Sequence, residues 1–274
     1  MLMPQLTCDY RPREHAHNDP PQDLYSIKEV DRRLCYSIIE PHFFVCDVGG
    51  AAGIDVLPMT RLVKQSILID IDKNALKTGK AMATKSKIRP KMAFIKASAT
   101  DLPFKKGVLD LITCFSVLDH LSTKETAFKA MCEFSRVARN RGYIAITVPN
   151  KLFLLGTIIM KIKYTIQVGD FWEQRFTPKE LERLLLRSGF CPLIFDSKYP
   201  TKVGRHVLRH NFPKATEKIP GIYILLSFAG KIFGILEQYS CLKIFGARMG
   251  FLGTRLDSAC TRFDAGERKC KQEI

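Results

Sequence analysis

Residues 43–59 read FFVCDVGGAAGIDVLPM. An apolar run ends in Asp47, then Gly49, Gly50 and Gly53 form a turn of small residues, and a helical pattern follows. Small side chains there let the backbone approach a ligand closely, and a helix N-terminus presents free amide donors. The glycines lack the G-x-G-x-x-G spacing of dinucleotide-binding turns, and no Gly-Lys-Ser/Thr follows as a phosphate loop would require. Downstream, residues 66–76 read SILIDIDKNAL, with Asp70 lying 23 positions after Asp47. In a doubly wound sheet the first two strands are neighbours, so a carboxylate at the tip of the second reaches the hydroxyls of a ribose held over the first turn. Asp72 is read instead as the cap of a helix beginning at Lys73.

Around this core, short β-rich runs alternate with helical patterns. Strands are expected at 43–48, 66–71, 92–97, 109–115 and 143–148, with helices after the first two, near 24–40 and near 123–138. Strand and helix in regular succession predict a parallel sheet covered on both faces. Residues 176–190, FTPKELERLLLRSGF, carry a full helix signature: Thr177 as N-cap, Pro178 at the first helical position, Glu180 closing a capping box, and Gly189 as the stop. A strand over 190–195 and a last short strand within 249–256 follow.

DVGGAAG, LIDIDKNAL, the block IKASATDLPFKKGVLDLITCFSVLDHL and EFSRVARNRGYIAITVPN, in this order, resemble the successive motifs of class I S-adenosylmethionine-dependent methyltransferases, in the group that includes the ubiquinone- and menaquinone-type enzymes. The resemblance spans roughly 25–197. It implies an α/β, Rossmann-like sheet of seven strands, mostly parallel with the last antiparallel, flanked by helices on both faces; the charge and apolar pattern after residue 197 add a C-terminal helical, basic and apolar insertion. The expected organisation is a polar arm over 1–22, a cofactor-binding domain over 23–197, and a region over 198–274 that completes the sheet.

By position, the resemblance assigns Asp47 and the turn of Gly49, Gly50, Ala51 and Gly53 to the methionine part of S-adenosylmethionine, Asp70 to the ribose hydroxyls and Ile71 to the adenine. Ser98, Ala99 and Phe115 complete the cofactor set. Ala51 replaces the family's middle glycine, and Ser98 replaces an acidic residue that often meets the adenine amino group. An alanine is tolerated in such a turn if its φ is negative, and a serine accepts only a neutral hydrogen bond. Methyl transfer rests on positioning, and a general base matters only where the acceptor must lose a proton. Asp119 and His120, after the fourth strand, are the catalytic candidates, His120 as base, although His120 equally suits a packing role at the next helix. Tyr164, Phe171, Trp172 and Phe176 suit a pocket for a ring or isoprenoid acceptor, or a buried loop.

Of the formal charge of +16, half comes from residues 197–274, which hold 14 Lys+Arg against 6 Asp+Glu. Residues 219–236 are apolar except for Lys231, too short and glycine-rich for a clean bilayer crossing. Two readings stay open: a surface-docking hairpin whose basic flank, Lys202, Arg205, Arg209, Lys214, Lys218, Lys243 and Arg248, meets anionic headgroups, or a cap packed on the domain. Nine scattered cysteines without a C-x-x-C pair argue for a reducing compartment, with Cys46 and Cys114 as core residues, and no metal site is expected. The N-terminus lacks the apolar stretch of an export signal, which places the chain in the cytoplasm, with peripheral membrane contact through 200–250 as an expectation. A small-molecule or lipid-like acceptor is favoured; RNA or protein methylation, or an inactive cofactor-binding scaffold, are the alternatives, and nucleic acid is the less favoured partner because no RNA-binding module is present.

Overall fold

The computed structural model describes residues 30, 31, 33–153, 174–198, 231, 232, 235 and 239–256. Its main elements are β1 (Phe44–Val48), α1 (Val56–Met59), β2 (Gln65–Asp70), α2 (Lys73–Lys85), β3 (Met92–Lys96), β4 (Leu109–Phe115), α3 (Lys124–Val137), β5 (Ala138–Pro149), α4 (Pro178–Arg187), β6 (Phe190–Lys198) and β7 (Arg248–Arg255). Residues 30, 31 and 33–36 are helical, as their three- and four-residue apolar spacing predicts. Tyr164, Phe171 and Trp172, the N-terminal arm and most of the basic apolar stretch lie outside the described residues.

The seven strands run in the order β3-β2-β1-β4-β5-β7-β6. Strands β1 to β5 pair in parallel, and β7 runs antiparallel to both β5 and β6. The sheet is therefore the seven-stranded, mostly parallel one expected, with β7 as the antiparallel strand. The chain moves from β1 outward to β3, then returns to β4 on the other side of β1. That reversal opens a crevice at the C-terminal tips of β1 and β4, where open α/β sheets place ligands.

Alternation along the strands divides the core between two faces. Cys46, Val48, Ile112, Cys114, Ile144 and Ile146 pack against α3 and α4 through Met131, Phe134, Leu181 and Leu185. On the opposite face, Val45, Leu111 and Ala145 meet Val30, Leu34 and Cys35 of the N-terminal helical residues. Leu68 and Met92 meet Leu76 and Ala83 of α2 beside them. Burial pushes the thiols of Cys46 and Cys114 well above their ordinary values, so both act as small apolar residues. Cys191 is disulfide-bonded, against the reducing compartment that the scattered cysteines suggested.

The helix signals hold in atomic detail at α4. The Glu180 amide donates to Thr177 Oγ1 at 3.2 Å, the Thr177 amide donates to Glu180 Oε2 at 2.7 Å, and Gly189 stops the helix with φ +90°. Asp72 caps α2 as expected, its Oδ1 accepting from the Asn74 amide at 2.7 Å. The helix expected after β1 is a single turn. Thr60 ends it, its hydroxyl bonded to the Val56 carbonyl and lying 2.6 Å from Ser66 Oγ, so the chain turns directly into β2.

Candidate functional site

Asp47 lies near the tip of β1 and is 1% exposed. Thr113 of the neighbouring strand β4 donates to its Oδ1 at 2.6 Å. The glycine turn closes over it: the amides of Gly49 and Gly50 donate to the Ile69 carbonyl at 2.7 and 3.3 Å, and Gly53 donates back to the Gly50 carbonyl at 2.7 Å. A Cβ on Gly50 would lie 2.1 Å from Asp47 Oδ2 and 2.5 Å from Leu68 Cδ1. Only glycine fits between the carboxylate and the sheet.

Asp70 ends β2 and holds the turn from the other side. Its Oδ2 accepts from the Ala51 amide at 2.8 Å and its Oδ1 from the Asp72 amide at 2.8 Å. Each carboxylate oxygen carries further acceptor capacity, which suits a vicinal diol. Ile71 beside it is 70% exposed, an apolar side chain set at the crevice rim without cover. These groups fit S-adenosylmethionine: the Asp70 carboxylate for its diol, a close backbone turn backed by the buried negative charge of Asp47 for its cationic end, and an apolar edge for its adenine.

The two departures from the family pattern resolve differently. Ala51 has φ +49°, so the condition of a negative φ fails, and the residue carries left-handed strain of roughly 1–2 kcal/mol. The hydrogen bond from its amide to Asp70 compensates. Ser98 is exposed and turned into its own loop, with Oγ 2.9 Å from Thr100 Oγ1 and accepting from the Thr100 amide. Asp101 closes the same loop by donating its amide to the Ser98 carbonyl. Ala99 is buried beside Leu102 in the core, and Phe115 packs with Val45 and Leu111 under the N-terminal helical residues. The structure thus brings together Asp47, Gly49, Gly50, Ala51, Gly53, Asp70 and Ile71, while Ser98 bonds within its own loop and Ala99 and Phe115 are buried in the core.

After β4, Ser116 takes φ +54° and Leu118–His120 form one 3₁₀ turn. Asp119 is buried and its carbonyl accepts from the Gln174 amide at 2.6 Å, whereas the His120 side chain is half exposed with Nε2 3.6 Å from Asp119 Oδ2. A buried carboxylate beside an accessible imidazole is an arrangement able to orient a general base. Phe176, read as lining an acceptor pocket or as buried under a loop, is 1% exposed and packed under Lys124, whose Nζ stands 4.6 Å from its ring centroid, which is the buried alternative.

One polar cluster escaped the sequence reading. Arg248, which one of the two open readings of the basic region set against lipid headgroups, is largely buried: Nε and Nη2 donate to Asp31 Oδ1 and Oδ2 at 2.9 and 2.7 Å. Asp31 is fully buried, and Thr147 Oγ1 donates to its Oδ1 at 2.7 Å. Burial pushes the Asp31 carboxyl above its ordinary value while Arg248 pulls against it. The correction has a plain cause, since β7 enters the sheet at Arg248 and carries its side chain inward. The available signal was one acidic residue in the apolar stripe around Val30 and Leu34. Among the described residues, no group of three or more His, Cys, Asp or Glu stands ready to hold a metal ion.

Residues 46–146 match the family described as a methyltransferase domain. An uncharacterised protein of Methanocaldococcus jannaschii is 34% identical over 111 residues, 40% of this chain and 42% of that protein. The ubiquinone/menaquinone biosynthesis C-methyltransferase UbiE of Azotobacter vinelandii is 32% identical over 90 residues, 32% of this chain and 36% of that protein. The chain thus spans about two fifths of the length of the curated relatives it matches. A solved S-adenosylmethionine-dependent methyltransferase of Methanosarcina mazei superposes with a TM-score of 0.58 at 14% identity, over 81% of this chain and 96% of that one. The [4+2]-cyclase SpnF does so with a TM-score of 0.58 at 16% identity, over 85% and 80%. Sheet order and the matched domain agree: the fold is that of the class I S-adenosylmethionine-dependent methyltransferases, and residues 46–146 match a methyltransferase domain.

Proposed function

We propose that the chain transfers the methyl group of S-adenosylmethionine to a small or lipid-like acceptor, a quinone precursor or similar apolar metabolite. The observation that carries this is the pairing of Asp47 and Asp70 at adjacent strand tips across a turn that admits no side chain at Gly50. The cofactor supplies a methyl group on an activated sulfonium. The protein's work is then to hold that group and the acceptor together and to exclude water. Asp47 and the turn take the methionine end, Asp70 the ribose, and Ile71 the adenine. On the acceptor side Asp119 orients His120, which takes a proton where the acceptor must lose one.

Support for an apolar acceptor at a membrane surface comes from the exposed side chains Ile232, Ile235, Tyr239, Ile244 and Phe245 within a basic region. Among the described residues no helix is long and apolar enough to cross a membrane. Co-sedimentation with anionic, but not neutral, vesicles is the expected result, and no binding to either would remove this part of the reading.

Titration calorimetry with S-adenosylhomocysteine tests the cofactor half: wild-type binding and its loss in Asp70→Ala are expected, and unchanged affinity in that variant would sink it. Incubation with methyl-labelled cofactor and a fractionated cell extract tests the acceptor half, with label expected in the lipid-soluble or small-molecule fraction. Label in RNA or protein would favour those acceptors. A second reading is a cofactor-binding scaffold without methyl transfer; SpnF, a cyclase of similar fold, shows that this fold also carries other chemistry. Cofactor binding with no label in any fraction would favour it.

A further inference from the structure

Arg248 opens β7 opposite Pro149, the last residue of β5, so its side chain reaches across the C-terminal tips of the central strands. Two of its three guanidinium nitrogens bind Asp31, and the third, Nη1, donates to Ser116 Oγ at 2.6 Å. Nη2 also donates to Thr147 Oγ1 at 2.8 Å, and the Ser116 amide donates to the Thr147 carbonyl at 2.9 Å. Ser116 is therefore fixed at backbone and side chain while it holds a left-handed φ of +54°, a conformation that a non-glycine residue keeps only when its surroundings impose it.

What Ser116 controls lies immediately after it. Val117 packs on the cofactor turn so closely that a Cβ on Gly49 would meet its Cγ2 at 2.4 Å. Asp119 and His120 follow in the next turn. We propose that Arg248 is a positioning residue that locks Ser116 and thereby sets both the Val117 wall of the cofactor turn and the loop carrying Asp119 and His120. This rests on the function proposed above. The planar fork is required, since a lysine ammonium cannot serve Asp31, Thr147 and Ser116 at these separate directions.

A purely structural ion pair would hold the N-terminal helical residues to the sheet and leave Ser116 free to vary. Ser116→Ala therefore separates the two roles, because it removes the Nη1 partner and leaves Asp31–Arg248 intact. Native-state hydrogen exchange and calorimetry with S-adenosylhomocysteine and with adenosine would be compared for the wild type, Ser116→Ala and Arg248→Lys. The expected result for Ser116→Ala is at least tenfold faster exchange at 117–121 with β5 amides unchanged, and for Arg248→Lys faster exchange at 117–121 beyond the acceleration its broken Asp31 pair gives the sheet. Affinity for S-adenosylhomocysteine falls about tenfold, while adenosine, which meets only the Asp70 side, binds as before. Where Arg248→Lys fails to fold, Ser116→Ala decides. Wild-type exchange at 117–121 in Ser116→Ala, or faster exchange spread evenly over the sheet, overturns the proposal. A wild type that binds no S-adenosylhomocysteine defeats the cofactor reading instead, and the exchange result still decides whether Arg248 holds the loop.

Discussion

Gly50 sits so close to Asp47 that a single methyl group on its Cα would fall 2.1 Å from the carboxylate Oδ2. Backbone and buried charge are mutually fitted at this point. Gly50→Ala must push Asp47 or Leu68 aside, and overpacking of this kind costs about 1–3 kcal/mol. The variant is expected to melt several degrees lower and to lose measurable S-adenosylhomocysteine binding by calorimetry. Binding at wild-type affinity would show that the turn is not the cofactor's seat.

Ala51 leads to the opposite expectation. Its left-handed φ of +49° costs roughly 1–2 kcal/mol, whereas a glycine there loses about 0.4–1 kcal/mol through its freer unfolded chain. Ala51→Gly should therefore stabilise the protein by about 0.5–1 kcal/mol, read as a higher urea midpoint at unchanged m-value. The Ala51 amide's bond to Asp70 is retained in the variant, so cofactor affinity should not fall.

Glu133 and Arg136 fasten the 102–104 loop to α3. Glu133 Oε1 accepts from the Leu102 amide at 2.8 Å, and Arg136 donates to the carbonyls of Leu102 and Phe104. Hydrogen bonds from Arg136 hold the Glu133 carboxyl below its ordinary value near 4.5. A carboxylate with a lowered folded pKa stabilises the protein above its unfolded pKa, and that contribution disappears as pH falls through the folded one. Glu133→Gln should lower stability by about 1–3 kcal/mol at neutral pH and flatten the loss of stability below pH 4.5, measured by urea unfolding across the acid range.

His120→Ala and Asp119→Asn bear on the acceptor side. If the acceptor gives up a proton to His120, label transfer should drop about 10²–10⁴-fold in His120→Ala with S-adenosylhomocysteine affinity unchanged. An activity loss that tracks a loss of cofactor binding would mark His120 as a packing residue.

The sheet was readable because β1, β2 and β4 are short, mostly apolar runs buried on both faces, and α4 because its capping box is local to four residues. Asp47, Asp70 and the glycine turn were readable for the same reason, since strand tips are fixed by the ends of those runs. The conformation of Ala51 was not, because it depends on the Asp70 carboxylate 19 positions away. Ser98 and Phe115 were placed by motif position, and their surroundings, the Thr100 hydroxyl in one case and the Val45–Leu111 core in the other, lie beyond what a motif shows. Composition described Arg248 as one basic residue among many, and its partner is 217 positions distant. No local pattern carries a pairing at that range.

The same distance has a consequence for biosynthesis. Asp31 emerges from the ribosome 217 residues ahead of Arg248, an interval of roughly 10–40 s at ordinary elongation rates. Until Arg248 arrives, burying Asp31 would strand a charge at a cost of about 3–5 kcal/mol. The N-terminal helical residues therefore dock last although they are made first, and nascent chains stalled before residue 248 should leave that face of the sheet open to proteases and chaperones.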